Sequence, residues 1–174
     1  MISATAHPPQ FDYGYLRQLV FEQSQNVLDP SRDYLFETRL AKLLRNQGLN
    51  HIGDLIQRLR TNRDPQLERS VAEAMTINET SFFRDGRPFE LLRTELLPPL
   101  IEARRSTRSL RFWSAACSTG QEAFSIVMLM LEQFPQLSSW SVKVEGTDIS
   151  QDVVQRCQQA TYHRIEMNLS LIHI

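Results

Sequence analysis

The sequence is short of cysteine, of long apolar runs and of net charge, and each shortage removes a class of protein. Its two cysteines, Cys117 and Cys157, stand far apart with no C-x-x-C spacing. That excludes a disulfide scaffold or a cysteine zinc site and suits a reducing, cytoplasmic setting. The four histidines, His7, His51, His163 and His173, are scattered, so no metal cluster is legible. The longest apolar stretch, Ile126 to Leu131, is far too short to span a bilayer. No basic region followed by an apolar core opens the chain, so no signal peptide is expected. A net charge of −1 gives no global attraction for nucleic acid or membrane. The expectation is a cytoplasmic monomer that binds neither.

What is present is an ordinary soluble composition, 41% hydrophobic and 22% charged over 174 residues. A chain of this length can bury about 70% of its unfolded surface, as one domain or two small ones. Charge is uneven locally. Between Arg39 and Arg69 there are seven basic residues against three acids, and Arg104, Arg105, Arg108 and Arg111 form a second basic run.

Residues 1–10, with Pro8 and Pro9, read as a disordered lead-in. Phe11, Tyr15, Leu19, Val20 and Phe21 then fall on one face at helical steps. Asp29-Pro30-Ser31 punctuates, and Ser31 is expected to cap the next helix. There Phe36, Leu40, Leu43 and Leu44 form an apolar stripe, and Gly48 is a natural stop. A third helix covers His51 to Thr61. A fourth begins near Pro65, a residue favoured in the first helical turn, and carries Leu67, Val71, Ala74 and Met75. Residues 11–85 are therefore expected to form a small all-α domain that ends in the polar and aromatic segment Asn78 to Asp85. A linker helix at 86–108 follows, interrupted at Pro98-Pro99.

The character changes at Ser109. Leu110 to Ala116 reads as a strand, Cys117 to Gly120 as a small-residue turn and Glu122 to Phe134 as a helix. Trp140 to Gly146 reads as a second strand, and Ser150 can cap a helix from Gln151 to Ala160. This β-α-β-α order implies a parallel sheet, so the fold class is α/β. Residues 109–174 leave room for two or three strands at about 30 residues per unit, where an open doubly wound sheet usually has about five or six. An incomplete sheet is expected, and no function is read into residues 169–174.

Chemistry can concentrate at three places. The segment Ala115 to Glu122 joins strand to helix, where close approach of a nucleotide-like ligand needs small residues. Its single glycine argues against the G-x-G-x-x-G dinucleotide fingerprint and thus against a nicotinamide oxidoreductase. Asp148 closes the second strand and can accept hydrogen bonds from ribose hydroxyls; the alternative reading is that it only ends the strand. The segment Met75 to Asp85 mixes donors with Phe82 and Phe83; read alone, it is a helix cap with core aromatics and a solvated Arg84. Cys117 lies beside the turn without a histidine base and reads as a small packing residue. Phe112 and Trp113 read as core.

Taken in order, Asn-x-Thr-x-Phe-Phe-Arg at 78–84, Phe-Trp-Ser-Ala-Ala-Cys-Ser-Thr-Gly-Gln-Glu at 112–122 and Gly-Thr-Asp-Ile-Ser at 146–150 resemble the chemotaxis receptor glutamate methyltransferase family. The similarity runs from the helical domain to about Tyr162. Ala123-Phe124 stands where that family commonly has Pro-Tyr. The resemblance implies a small all-α domain followed by the first part of a Rossmann-like class I methyltransferase domain, with S-adenosylmethionine as cofactor and S-adenosylhomocysteine as product. By position it places cofactor contacts on Asn78, Thr80, Arg84, Glu122 and Asp148. In this reading Asn78 and Thr80 orient the cofactor, Glu122 sits near its charged end and Asp148 holds its ribose. Arg84, the candidate catalytic residue, donates to a carboxylate of the cofactor or of the incoming glutamate. Later elements of the family's domain have no counterpart in this sequence.

The implied activity is methyl transfer to glutamate side chains of chemotaxis receptors, giving γ-methyl esters. It needs no metal or general base, because a glutamate with a pKa of about 4.3 is already ionised at neutral pH. The implied partner is the acidic helical methylation region of a receptor, docked on Arg39, Lys42 and Arg45, with Arg58 and Arg63 nearby. Two other readings stay open: a class I methyltransferase with a different substrate, and a catalytically inactive receptor-docking fragment.

Overall fold

A computed structural model describes residues 11–167; the expectations for residues 1–10 and 169–174 fall outside that range. Its contacts divide into two compact units between Ile77 and Asn78. The Asn78–Arg84 segment therefore belongs to the second unit.

The first unit is helical, with α1 (Tyr13–Ser24), a 3-10 turn (Pro30–Arg32), α2 (Tyr34–Asn46), α3 (Ile52–Thr61) and α4 (Pro65–Met75). Its core gathers Leu16, Val20, Phe36, Leu40, Leu55, Val71 and Met75, each at most 1% exposed. The buried stripe of α1 is Leu16, Leu19 and Val20, whereas Phe21, expected inside, is 39% exposed. Gly48, at φ 65°, ends α2 as expected. The amide of Leu49 donates to Leu44 O at 2.9 Å and that of Gly48 to Arg45 O at 3.2 Å, the paired bonds of a Schellman stop. Ser31 does not cap α2. It lies inside the 3-10 turn, whose cap is Asp29, and α2 begins three residues later. The carboxylate of Asp64 caps α4 by accepting from Leu67 N at 3.0 Å, with Pro65 in the first turn.

The second unit opens with the 78–86 segment and a helical path: α5 (Arg87–Leu91), a π-turn (Leu92–Leu96) and α6 (Leu97–Ala103). Pro98 and Pro99 do not interrupt it. They occupy the first turn of α6, where missing N–H groups cost little, and the wider π-turn before them absorbs the mismatch. Then follow β1 (Ser109–Ala115), α7 (Gln121–Gln133), a 3-10 turn (Pro135–Ser139), β2 (Ser141–Thr147), α8 (Gln151–Gln159) and a single turn, α9 (Arg164–Met167). Among the described residues β1 and β2 form a two-stranded parallel sheet with Ser109 opposite Ser141 and Ala115 opposite Thr147. This is the expected start of a Rossmann-like sheet.

Strand alternation decides which side chains are inside. Leu110, Phe112 and Ser114 face the helices, where Leu97, Leu129, Met130 and Leu137 complete the core. Arg111 and Trp113 face the other way. Trp113, expected in the core, is 72% exposed, and its indole N–H donates to Thr147 Oγ1 at 3.0 Å. On the same face Glu145 pairs with Lys143 at 2.7 Å and with Arg111 at 2.8 Å.

Candidate functional site

The carboxyl ends of β1 and β2 lie side by side, because Ala115 pairs with Thr147. Ligands of open α/β sheets bind at such strand ends. The turn leaving β1 is unusual in its backbone: Ala116, Ser118 and Gly120 all have positive φ, at 57°, 50° and 97°. Two of them carry a β-carbon, and non-glycine residues in this region each cost of order 1–3 kcal/mol unless the surroundings hold them. The surroundings do. Cys117 N donates to Thr147 O at 2.9 Å, continuing the ladder one step past the strands. Ser118 N donates to Asp148 Oδ2 at 2.8 Å, Ser118 Oγ to Asn78 O at 2.6 Å, and Gly120 N to Cys117 O at 2.9 Å.

Gly120 is required by packing as well as by φ. A β-carbon there would lie 2.5 Å from Cys157 Sγ and 3.0 Å from the hydroxyl of Tyr162. Gly146 on β2 serves the same end, since a β-carbon there would lie 2.8 Å from Cys117 Sγ. Cys117 is thus a packing residue, 2% exposed. Burial first, and the neighbouring Cys157 and Asp148 next, push its thiol up to about 11, which fits no role as a thiolate nucleophile.

Each carboxylate of the site has a defined partner. Asp148 is half-buried and accepts two backbone amides, Ser118 N on one oxygen and Ser150 N at 2.9 Å on the other. It is therefore a clamp between the two strand-end turns. Glu122 lies in the first turn of α7, where the helix dipole favours negative charge. Its Oε1 accepts from the buried Ser114 Oγ at 2.7 Å while the residue itself stays exposed.

The 78–86 segment is bonded into the same assembly. Beyond the bond from Ser118 to the Asn78 carbonyl, Phe83 N donates to Ser125 Oγ on α7 at 2.9 Å. Phe82 is buried, with its ring edge-to-face on Tyr162 at 5.0 Å. Phe83 and Asp85 have positive φ, at 49° and 64°. Arg84 is exposed and donates from Nη1 to Glu79 O at 2.9 Å, which folds its side chain back over the segment. Neither Asn78 nor Thr80 caps a helix: α4 ends at Met75 and α5 starts at Arg87. The structure thus gathers the backbone around Asn78, the β1 turn, Glu122 and Asp148 into one hydrogen-bonded group. Reasoning from motifs passed over Ser114, Ser118, Ser125 and Tyr162, which do the joining.

Two family models cover nearly the whole chain. Residues 12–76 match the CheR methyltransferase all-alpha domain, and residues 78–173 match the CheR methyltransferase SAM binding domain. The chain belongs to the CheR methyltransferase family. The boundary between the two CheR matches falls where the compact units divide. Among similar curated proteins, chemotaxis protein methyltransferase 1 of Pseudomonas aeruginosa is 38% identical over 164 residues, which is 92% of this chain and 59% of that protein. Chemotaxis protein methyltransferase Cher2 of Pseudomonas putida is 35% identical over 87% of this chain and 56% of that protein. A chemotaxis protein methyltransferase of Vibrio anguillarum is 33% identical over 92% and 58%. The chain thus spans a little over half the length of these relatives.

S-adenosylmethionine is the methyl donor of the CheR SAM-binding domain. The residues present fit that group. Its sulfonium and ammonium charges call for carboxylates, and its ribose for an acceptor. Exposed Glu122 follows the small-residue turn on α7, and half-buried Asp148, just past β2, is bonded to that turn through Ser118 N. Among the described residues no cluster of His, Cys, Asp and Glu could hold a metal, and no helix is long and apolar enough to cross a membrane.

Proposed function

We propose that this chain is part of an enzyme that transfers a methyl group from S-adenosylmethionine to glutamate side chains of chemotaxis receptors, forming glutamyl γ-methyl esters. The observation that carries this reading is the meeting of three separate segments at Ser118, whose amide reaches Asp148 and whose hydroxyl reaches Asn78 O. The bound cofactor supplies an electrophilic methyl group on a sulfonium. The acceptor carboxylate is already ionised at neutral pH, so the chain's task is to bind, align and exclude water, and alignment alone can lower a barrier by roughly 7–11 kcal/mol.

In this proposal Asp148 accepts from the ribose with the lone pairs left over from its two amide bonds, and Glu122 faces the cofactor's cationic end. Asn78 and Thr80 orient the cofactor. Arg84 swings from the Glu79 carbonyl to a carboxylate of cofactor or substrate, exchanging a neutral acceptor for a charged one. The test is calorimetric titration of the chain with S-adenosylhomocysteine, followed by receptor methylation with a full-length enzyme carrying Arg84→Ala. The reading expects saturable binding and a strong loss of turnover with the fold intact. Near-normal turnover would remove Arg84 from the chemistry.

For the partner we propose an acidic receptor helix docking on α2, led by the exposed Lys42 and Arg45. Arg39 is half-buried and gives one Nη1 bond to Met75 O at 2.9 Å, so it contributes from a more fixed position. Receptor binding that ignores salt would count against this surface. A second reading, a docking fragment without catalysis, is favoured by the open sheet face with its exposed Trp113. Intact receptor affinity without any S-adenosylhomocysteine binding selects it.

A further inference from the structure

Tyr162 lies outside every motif named so far, on the connection after α8, yet it touches three parts of the candidate site. Its hydroxyl donates to Thr119 O at 2.5 Å, inside the strained turn after β1. Its ring meets Phe82 edge-to-face at 5.0 Å, two residues from both Thr80 and Arg84. It also meets Phe124, in α7, edge-to-face at 5.9 Å. The turn and the motif segment are about forty residues apart in sequence and both are far from Tyr162. One half-buried side chain is therefore packed or hydrogen-bonded to both.

We infer that Tyr162 is a positioning residue for the cofactor site: its hydroxyl orients the Thr119–Gly120 peptide while its ring holds the Phe82 segment against it. The turn needs such a holder. Three of its five residues from Ala116 to Gly120 have positive φ, and a carbonyl turned away from regular structure must find a donor. The hydroxyl stays a donor at any ordinary pH, because burial first, and Cys157 and Glu166 next, push its pKa up to about 12. The space is also tight from the other side, since a β-carbon at 120 would lie 3.0 Å from the phenol oxygen. Loss of the hydroxyl alone should therefore loosen the turn without removing the ring from its contacts. The consequence for cofactor binding rests on the function proposed above; the consequence for the turn does not.

The discriminating variant is Tyr162→Phe in the full 174-residue chain, compared with wild type by amide hydrogen exchange and by titration with S-adenosylhomocysteine. Losing one hydrogen bond of ordinary net strength should speed exchange at Cys117, Ser118 and Gly120 by roughly three- to tenfold and weaken the ligand by a similar factor. The amides of β1 and α7 should change less. If turn, strand and helix speed up equally, Tyr162 is only part of the general packing and the proposal fails. It fails equally if the turn loosens and affinity is unchanged. Should wild type bind no S-adenosylhomocysteine, the functional reading falls for this chain, and the exchange data still decide whether Tyr162 sets the turn.

Discussion

Replacing Asp148 separates two roles that a simple binding assay would merge. In the structure its carboxylate accepts from Ser118 N at 2.8 Å and from Ser150 N at 2.9 Å. Asp148→Ala leaves both amides without their acceptor and frees Ser118, whose φ of 50° is held partly by that bond. A hydrogen bond to a charged group contributes about 1.5–3 kcal/mol. The residue is half-buried, so water can replace part of this, and a total loss of about 2–4 kcal/mol is expected. At about 4–8 °C per kcal/mol for a domain of this size, the second unit should melt at least 8 °C lower. Asp148→Asn is the sharper variant. Its side-chain oxygen can satisfy one amide, but its NH2 group must face the other, donor against donor, so most of the loss should remain. Thermal unfolding followed by circular dichroism reads the clamp, and calorimetry with S-adenosylhomocysteine reads the ligand. If both variants melt within 2 °C of wild type, the clamp argument is wrong, whatever happens to affinity; that threshold lies below the shift expected for even 1 kcal/mol.

Gly120→Ala places a β-carbon 2.5 Å from Cys157 Sγ at a backbone φ of 97°. It should destabilise by at least about 2 kcal/mol in denaturant unfolding, and adding Cys157→Ala should relieve the closest overlap but not the strain; full recovery would mean the φ costs nothing. With the Cys117 thiol pushed up to about 11 by burial, a thiol reagent at pH 8 should label Cys157 well before Cys117 in the folded chain, and both together in denaturant. Equal rates in the folded chain would show that the turn opens freely. Glu145 is drawn down to about 2 from an ordinary 4.5, chiefly by the hydrogen bonds from Lys143 and Arg111. Its folded pKa lies below the unfolded one, so its contribution is present above pH 4.5 and lost as pH falls toward 2. Glu145→Gln should flatten that part of the stability curve at low salt, and an unchanged slope would place these ion pairs outside folding energetics.

Sequence pattern reached the order of elements because helix and strand periods are strong local signals, and the β-α-β-α order needs nothing more. It failed where a position's environment is set by distant residues. Phe21 and Leu16 are both apolar and five apart on α1, and the pattern alone does not say which of the two packs into the core shared with α2, α3 and α4. Trp113 looked like core because large aromatics usually are. Strand alternation beside buried Leu110 and Ser114 puts it on the other face. Ser31 has a capping side chain, yet Asp29, two residues earlier, takes the capping bond at 2.8 Å and starts a 3-10 turn instead. Of the candidate site, Gly120 and Asp148 were legible from their place just after a strand, and Glu122 only from its place in the order of the three motifs. Ser118 was not, since a serine in a turn carries no signal of the forty-residue reach to Asn78.

The hydrogen bonds and ring contacts described for the β1 turn all come from residues 78–162. Strand continuation at Cys117, the Asp148 clamp and the Tyr162 hydroxyl each restrain a different peptide between Ala116 and Gly120, and the Asn78 carbonyl holds the Ser118 side chain. Several restraints on so short a stretch are what positive φ at alanine and serine requires, and they give the turn a shape that does not wait for ligand. Such preorganisation would matter for the proposed reaction, whose acceptor and donor are both already activated, because holding atoms in line is then most of what a protein can add. It also explains why the 78–84 motif precedes the sheet in sequence yet belongs with it. Its Asn78 carbonyl holds the Ser118 side chain and its Phe82 ring packs on Tyr162, so the segment proposed to orient the cofactor also helps to build the turn proposed to receive it.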